Sequence, residues 1–471
     1  MRRARIALLF PLIVYLLFPS RNYYWDGVAF AIGIEKNLPA GELVHPNHLI
    51  YELCGAALYK LGGGQFRALY LLQALNCLLA GFAVVLLYLA LRNTGWSRGR
   101  STLAAWIFGF SATWWKFATD VNAYVPAIFL LLCAYLLIQN PRTAVVAGLA
   151  QAGAALFHEL AILFFPVAIL LLWKRRGLLA AYCVEALAPL AVAYAWAYRA
   201  AVPGGAAGGF WAWITSHSPD SGFSFNLLRD AGYTLRGTLR LLFGGRLQDF
   251  VWNPLSIAAS ALLAFAVAAL LFYAWWALPV RWSRPQAHLL VWAGVYLAFL
   301  FFWMPQNTFY RLFYLAPLVF LAATVLEDVL KNHLAGFAFA AVLLLWNFVF
   351  LAYPQSRVQF NAPLRFALAQ HDSWPPGSAI VFHTFHPDLW TISYFNQQAA
   401  WMTLERADVT QMDRDLDYAH SQKQPLWVEQ NAYQLLDGTP QGREWLMEHE
   451  RPRELVRFQD ERHAFIFHSM R

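Results

Sequence analysis

Charged residues are scarce in this chain of 471 residues. Asp, Glu, Lys and Arg together account for 13% of the sequence, whereas soluble domains contain about 25%. Hydrophobic residues account for 59%, and the mean hydropathy is +0.42. This composition excludes an ordinary soluble domain and predicts an α-helical polytopic membrane protein.

Cysteine is also rare, and its four copies lie singly within apolar or amphipathic segments. They are Cys54, Cys77, Cys133 and Cys183. Without a paired spacing they exclude both a disulfide framework and a zinc site, and we interpret them as packing residues. The sequence also lacks tandem repeats, coiled-coil heptads and low-complexity tails.

Basic residues outnumber acidic residues, 35 to 27, which gives a formal net charge of +8. In a soluble chain this excess would suggest nucleic acid as a partner. Here the basic residues form short clusters between apolar segments, which is the distribution that orients membrane proteins. We therefore expect a lipid bilayer, and no nucleic acid, among the partners.

Apolar segments long enough to span a membrane recur along the chain. The N-terminal sequence MRRAR precedes an apolar run, and no small-residue cleavage pattern follows it. We therefore expect an uncleaved first span whose basic end is cytoplasmic. Further apolar runs cover residues 66–91, 101–118, 121–138, 178–200, 252–278, 287–303, 312–330 and 334–353.

Residues 143–173 form another apolar stretch, interrupted at His158 and Glu159 and flanked by basic residues on both sides. A single span would place one basic cluster outside. Two short spans that meet at His158 keep both clusters inside, although each is shorter than a 30 Å hydrocarbon core requires. We choose two short spans, which brings the predicted total to about eleven.

This topology predicts a bacterial inner-membrane protein with two domains. Residues 1–353 form the transmembrane domain, with an external loop over residues 20–65 that carries interfacial helices. Residues 354–471 form a small extracytoplasmic α/β domain, because hydrophobic runs there shrink to strand length. Its predicted strands are 379–384, 426–429, 455–458 and 464–468, and its predicted helices include 363–369 and 442–449.

Polar residues in the first external loop are the first candidates for function. Asp26 follows the interfacial aromatic residues YYW and suits a general base for an acceptor hydroxyl, or the N-cap of a helix over residues 28–34. His45 and His48 lie at the start of a second predicted helix, 45–59. Their imidazoles suit hydrogen bonding to a phosphate, or simply capping of that helix.

A second group of candidates lies in the short connection between the third and fourth spans. Lys116 suits an anionic headgroup or an ordinary snorkelling side chain at the interface. Asp120, Asn122 and Tyr124 offer donors and acceptors at the floor of a cavity. We therefore predict these four residues to bind substrate.

Three further candidates lie at the ends of later apolar segments. The His158 and Glu159 pair is costly inside an apolar run unless it has a function. Arg311 can hold a phosphate through two parallel hydrogen bonds, or serve as an ordinary interfacial arginine. All three are predicted to bind substrate.

The order of these features resembles the GT-C superfamily of polyprenyl-phosphate-sugar glycosyltransferases, in particular bacterial protein O-mannosyltransferase-like proteins. The shared features are an early acidic residue, Asp26, a partial His-Pro motif at residues 45–48, and the segment WKFATDVNAY at residues 115–124. The resemblance covers about the first 175 residues. It implies a GT-C-like fold in which Asp26 is the catalytic base and a lipid-linked sugar is the donor.

The sequence departs from this family beside the catalytic acid. Gly27 follows Asp26 where many relatives have a second acidic residue, and the nearest acid is Glu35. Hard divalent cations prefer several oxygen ligands and only one is evident here, so the sequence offers no clear ligand set for a divalent metal and we name no metal-binding residue.

The resemblance implies inverting transfer of a sugar from a polyprenyl phosphate to a hydroxyl group of a glycan, lipid or protein at the outer face. Lys116, His45, His158 and Arg311 are then candidates to stabilise the departing phosphate. A lipid-linked-saccharide flippase is the alternative from another class, although the chain lacks a repeated pair of interrupted helices. A non-catalytic relative is the third hypothesis.

Overall fold

The computed structural model describes residues 2–204, 209–215, 222–245, 287–330, 333–370, 374–459 and 463–471, with four isolated helical positions between 261 and 269. Apart from those four positions, the predicted span 252–278 lies outside the described residues. The chain divides into two compact units. The first unit contains Met1–Ser20 and Gly33–Ser356, and the second contains Arg21–Ile32 and Arg357–Arg471. The start of the external loop, Arg21–Ile32, thus groups with the C-terminal residues, and the division into a transmembrane and an extracytoplasmic domain remains a prediction.

The first unit is helical. Its α-helices, with α2 shared between the units, are α1 (Arg2–Leu17), α2 (Trp25–Glu35), α3 (Tyr51–Leu61), α4 (Ala68–Asn93), α5 (Arg98–Phe110), α6 (Ala112–Ala118), α7 (Tyr124–Ile138), α8 (Ala147–Phe157), α9 (Phe165–Leu172), α10 (Arg176–Ala201), α11 (Gly209–Thr215), α12 (Leu227–Leu242), α13 (Ala287–Phe302), α14 (Leu315–Leu330) and α15 (His333–Asn347). Short 3₁₀ helices cover Pro46–His48, Ala144–Val146, Glu159–Phe164 and Phe309–Tyr314, and a π-helical turn covers Phe348–Ala352.

Three helices in the described part of the chain are long and apolar enough to cross a membrane. They are Ala68–Asn93, Arg176–Ala201 and Gly336–Gln355. Shorter apolar helices cover Leu8–Leu17, Tyr124–Ile138, Ala144–Phe157, Glu159–Leu172, Ala287–Phe302 and Phe309–Ala323. The total of eleven spans remains a prediction.

The apolar run 101–118 is divided into two helices, which the sequence did not predict. Ser111 adopts an extended conformation, with φ −61° and ψ 135°, and separates α5 from α6. The break frees backbone groups that need partners in an apolar environment. The buried Asn347 supplies one, because its side-chain amide donates to the Phe110 carbonyl at 2.7 Å and to the Leu242 carbonyl at 2.7 Å.

The apolar stretch 143–173 is broken at His158, as predicted. The α8 helix ends at Phe157, His158 is extended, and a 3₁₀ helix begins at Glu159. The Gln151 amide donates to the Ala161 carbonyl at 3.2 Å. Ten residues of continuous helix would separate these two positions by about 15 Å, so the chain must turn back at His158.

Two amide side chains of α4 hold the connection between α6 and α7. Gln73 donates to the carbonyls of Ser20 and Thr119, at 2.8 and 2.7 Å. One turn later, Asn76 donates to the carbonyls of Asp120 and Asn122, at 2.8 and 2.9 Å. Both amides are buried, so they satisfy acceptors that water does not reach.

The second unit contains a five-stranded mixed sheet in the order β2-β1-β3-β5-β4. The β1 strand pairs in parallel with β2 and β3, and β5 pairs antiparallel with β3 and β4. The strands are β1 (Ala379–His383), β2 (Ala400–Leu404), β3 (Leu426–Glu429), β4 (Glu450–Gln459) and β5 (Ala464–Met470). The helices of this unit include α16 (Ala362–Ala369), α17 (Pro387–Phe395), α18 (Val409–Ser421), α19 (Gln430–Asp437) and α20 (Pro440–His449).

The predicted α/β character of the C-terminal residues is confirmed, with one strand missed. The four predicted strands correspond to β1, β3, β4 and β5, although β4 begins five residues earlier than expected. The missed strand, β2, lies at an edge of the sheet with three of its five side chains only half-buried. It therefore lacks the marked apolar pattern of a central strand.

We expect Asn76→Leu to destabilise the protein by about 2 kcal/mol or more. The substitution removes the Asn76 donor of the Asn122 carbonyl and one of the two donors of the Asp120 carbonyl. A buried carbonyl that loses its donor costs about 1–3 kcal/mol. Thermal unfolding in detergent measures the effect. Leu78→Ala is the control, because Leu78 is half-exposed on the same helix. Equal losses of stability in the two variants would show that the amide of Asn76 is dispensable.

Candidate active site

The Asn76 contacts fix the segment that carries Asp120 and Asn122. Asn122 is buried, and its amide donates to the Phe117 carbonyl at 2.6 Å while its oxygen accepts the Val125 N–H at 3.1 Å. The Asp120 carboxylate accepts the Val121 N–H at 2.8 Å. Both side chains therefore shape the start of α7. That they also contact substrate remains a prediction.

Directly after this segment, Tyr124 opens α7 and joins a group of rings from His158 and the 3₁₀ helix Phe309–Tyr314. The His158 ring lies 4.8 Å from the Tyr124 ring, measured between centroids, and 5.7 and 5.2 Å from the rings of Tyr310 and Phe313. Phe309 lies 5.4 Å from Tyr124. We call these five residues the His158 cluster. The structure thus brings together two predicted site residues that are far apart in sequence.

His158 has a defined role in the backbone and a defined tautomer. Its Nδ1 accepts the Leu160 N–H at 3.2 Å and so caps the 3₁₀ helix that begins at Glu159. Because Nδ1 is an acceptor, the proton of the neutral ring must be on Nε2. Burial, helped by the nearby imidazole of His45, lowers the pKa of His158 to about 3. At neutral pH this residue is an uncharged N–H donor.

The two histidines of the external loop lie beside this region. His45 and His48 stack with ring centroids 4.2 Å apart. The Nδ1 of His45 accepts the Asn47 N–H at 3.3 Å, so His45 caps the 3₁₀ helix Pro46–His48. The Tyr194 hydroxyl donates to the Pro46 carbonyl at 2.6 Å, which ties this short helix to α10. His45 therefore caps this short 3₁₀ helix and not the predicted helix 45–59, since α3 begins only at Tyr51. The proton of its neutral ring is on Nε2.

Lys116 and Glu159 flank the same region. Lys116 is half-buried at the end of α6, and its ammonium nitrogen lies 5.5 Å from the centroid of the Phe117 ring. Glu159 is half-buried directly after His158 and lies near the Tyr194 hydroxyl. Lys116 thus places a positive charge beside the His158 cluster, and Glu159 places a carboxyl group there.

Arg311 is fully buried and faces away from His158. On the helix Phe309–Tyr314, Tyr310 and Phe313 face the His158 ring, whereas Arg311 faces α12. Its guanidinium donates to the Tyr314 hydroxyl at 3.0 Å, the Pro305 carbonyl at 2.6 Å and Thr234 Oγ1 at 3.4 Å. In the described part of the chain we find no carboxylate paired with it. No part of this side chain reaches the surface, so it does not extend into water as an interfacial arginine usually does.

Asp26 lies in the second unit, in the first turn of α2. The α2 helix begins at Trp25, and its first backbone hydrogen bonds include Val28 N–H to the Tyr24 carbonyl at 3.1 Å. Asp26 is therefore inside the first turn, and its interpretation as the N-cap is wrong. Removal from water raises the pKa of its carboxyl to about 6, despite an opposing hydrogen bond from the Tyr24 side chain.

The acid nearest to Asp26 in sequence has another role. The Glu35 carboxylate accepts hydrogen bonds from Arg67 Nε at 3.1 Å and from the Ala68 N–H at 2.8 Å. It therefore neutralises an arginine and caps the start of α4. Within the described ranges, no group of three or more His, Cys, Asp or Glu side chains is arranged to hold a metal ion.

Sequence reasoning missed several residues of this site. Gln73 and Asn76 are amides within an apolar span, a signal that would have marked them as important. Tyr51 is fully buried, with its hydroxyl near the Asn76 amide and the backbone of Asn122. Tyr310 adjoins Arg311, but nothing in the sequence marked it as a site residue, since aromatic residues are abundant throughout the chain.

Solved structures resemble this chain over nearly its whole length. The apo structure of ArnT from Cupriavidus metallidurans matches with a TM-score of 0.62 and 12% identity, and the match covers 98% of this chain and 97% of that one. The structure of the same protein bound to undecaprenyl phosphate gives a TM-score of 0.59, with the same identity and coverage. An oligosaccharyltransferase from Archaeoglobus fulgidus, in complex with Zn and sulfate, gives 0.51 at 12% identity and covers 98% of this chain and 72% of that one.

These neighbours are GT-C glycosyltransferases, and the chain has the GT-C fold, as its sequence predicted. No family model matches the sequence, and no curated protein is detectably similar to it. The fold is therefore established by structural similarity and not by sequence identity.

Two glycines of α12 test whether the Arg311 guanidinium is fixed in place. Alanine is normally favoured over glycine within a helix by about 0.5–1 kcal/mol. A Cβ added at Gly232 would have nothing within 4 Å, whereas a Cβ added at Gly237 would overlap Arg311 Nε. We expect Gly232→Ala to raise the unfolding temperature. We expect Gly237→Ala to lower it, because overpacking against the guanidinium costs about 1–3 kcal/mol of stability. Stabilisation by both substitutions would show that the guanidinium moves freely.

Proposed function

We propose that this protein is a membrane glycosyltransferase that moves a sugar from a polyprenyl-phosphate donor to a hydroxyl group at the outer face of the membrane. The observation that carries this proposal is the match over 98% of the chain to ArnT, one structure of which holds undecaprenyl phosphate. The apolar composition and the helices of spanning length accord with a lipid-linked donor. The acceptor is a glycan, a lipid or a protein.

In the proposed reaction the acceptor oxygen attacks C1 of the sugar as the bond from C1 to the phosphate oxygen breaks. The acceptor hydroxyl gives its proton to the Asp26 carboxylate. The electrons of the broken bond leave with the polyprenyl phosphate, so that a single displacement inverts the anomeric centre. A carboxyl with a pKa near 6 suits this task, because it is ionised at neutral pH yet more basic than an ordinary aspartate.

The departing phosphate gains negative charge and needs donors that are already oriented. His158 offers an Nε2–H whose direction is set by the hydrogen bond at Nδ1. His45 is arranged in the same way, since its Nδ1 also accepts a backbone N–H. We propose that these two imidazoles bind the phosphate, with Lys116 contributing its positive charge.

Tyr124 and Tyr310 pack against the His158 ring and hold its imidazole in place. Tyr310 lies on the 3₁₀ helix Phe309–Tyr314, and Arg311 fixes the opposite side of that helix through its contacts with Tyr314 and the Pro305 carbonyl. We therefore assign Arg311 a positioning role in the binding of the donor.

Asp26→Asn should reduce sugar transfer by about 10²–10⁴-fold, the usual contribution of a general base. The assay uses purified protein in vesicles with radiolabelled polyprenyl-phosphate sugars and a hydroxyl acceptor. Glu42→Gln is the control, because Glu42 is an exposed acid of the same loop. Equal transfer by wild type and Asp26→Asn would remove Asp26 as the base, and lipid movement without transfer would favour a flippase.

The pH dependence of transfer tests the same assignment. Asp26 accepts a proton only when ionised, so kcat/KM should fall as the pH drops below about 6, the pKa of its carboxyl. The Tyr24 hydrogen bond favours the carboxylate, so Tyr24→Phe should raise this pKa and move the acidic limb to higher pH. An unchanged limb in Tyr24→Phe would contradict the assignment.

Two substitutions of His158 separate its backbone role from its proposed contact with phosphate. The Asn side-chain oxygen can replace Nδ1 in capping the 3₁₀ helix, but Asn has no group at the position of Nε2. We therefore expect His158→Asn to keep the stability of the protein and to raise KM for the sugar donor about 10- to 100-fold. Gln places an amide nitrogen near Nε2 but loses the cap. We expect His158→Gln to keep donor binding within a few-fold and lose about 1 kcal/mol of stability. The reverse pattern would assign His158 a purely structural role.

A further inference from the structure

The strand order of the second unit changes direction at β1. From β1 the chain passes through α17 to β2 on one side, and from β2 through α18 to β3 on the other side. The α17 helix packs on the sheet face that carries Ile380 and Phe382, whereas α18 packs on the opposite face, which carries Val381. In sheets covered on both faces, such a reversal opens a crevice at the carboxyl ends of the two central strands.

The segment that follows β1, residues 383–388, lies at this edge. At its centre Phe385 is 69% exposed, although the side chains on both sides of it are half-buried. The segment is held by hydrogen bonds from the Phe385 N–H to His383 Nδ1 at 3.1 Å and from the Trp390 indole to the Thr384 carbonyl at 3.2 Å. The exposed ring is therefore presented by an ordered backbone.

Two polar atoms beside Phe385 lack a partner. Thr384 Oγ1 and His386 Nδ1 are shielded from solvent and make no hydrogen bond with the residues that the structure describes. His386 precedes α17, but its side chain does not cap that helix. Shielded polar atoms without partners are costly, and those in native proteins call for an explanation such as a bound group.

The chemistry of this edge matches a carbohydrate. A sugar presents an apolar ring face, which can lie on Phe385, and a rim of hydroxyl groups that both donate and accept hydrogen bonds. His383, His386 and the half-buried Asp388 supply imidazole and carboxylate partners for such hydroxyls. Asp388 lies in the first turn of α17, where its negative charge disfavours an anionic ligand.

We propose that residues 383–388, at the carboxyl end of β1, form a saccharide-binding site that holds the glycan part of the acceptor. The role of that glycan as acceptor rests on the proposed glycosyltransferase function, whereas the binding itself does not.

Binding is measured with the full-length protein in detergent by saturation-transfer NMR and calorimetric titration, using mannotriose, maltotriose and chitotriose. We expect at least one trisaccharide to bind wild type and Phe385→Ala to weaken that affinity about tenfold, equivalent to about 1.4 kcal/mol. Phe385→Trp, which keeps an aromatic face, should retain it. Met447→Ala is the control, because Met447 on α20 is 74% exposed and lies outside the proposed site.

The outcomes distinguish this inference from the proposed function. Failure of all three trisaccharides to bind, or equal binding by Phe385→Ala and Met447→Ala, overturns the saccharide site whatever the transfer assay shows. Trisaccharide binding that depends on Phe385, in a protein without transfer activity, supports the site and contradicts the glycosyltransferase proposal. Binding by Asp26→Asn with wild-type affinity, together with its loss of transfer, supports both.

Discussion

The first unit depends on one constraint, which is that every backbone group freed by a broken helix needs a hydrogen-bond partner where water is absent. Buried amide side chains meet it. Asn76 satisfies two carbonyls of the connection between α6 and α7, Asn347 satisfies the carbonyl freed at the end of α5, and Gln151 joins the two helices that meet at His158. Because these breaks are satisfied internally, short helices and polar turns can persist inside an apolar unit, and the candidate site is built from those turns.

The candidate site gains rigidity from the same arrangement. The imidazoles of His45 and His158 each use Nδ1 on the backbone, which leaves Nε2 as the donor in a neutral ring. The aromatic side chains around His158 exclude water and keep this ring uncharged. An uncharged donor of fixed direction can serve a departing phosphate without the cost of burying a permanent cation. The buried charge of Arg311 is handled differently, by a carbonyl and two hydroxyl groups.

Part of the candidate site was predictable because hydropathy and charge are local properties of the sequence. The scarcity of charge identified the membrane class, and the polar interruption at His158 identified a true break in the helix. The resemblance carried by residues 26, 45–48 and 115–124 identified the GT-C fold, which the structural neighbours show. Asn122 was harder to interpret, because only the fold of the turn before α7 reveals that its amide donates to the Phe117 carbonyl.

The sequence by itself thus determined the class of protein, the identity of the polar residues and the α/β character of the C-terminal residues, since composition and periodicity carry that information. Only the tertiary structure decided that Arg311 faces α12 while its neighbour Tyr310 faces His158, and that residues 21–32 belong with the second unit. It also decided the strand order that places Phe385 at a reversal of the sheet. Such features depend on contacts between residues far apart in the chain, which no local pattern of the sequence encodes.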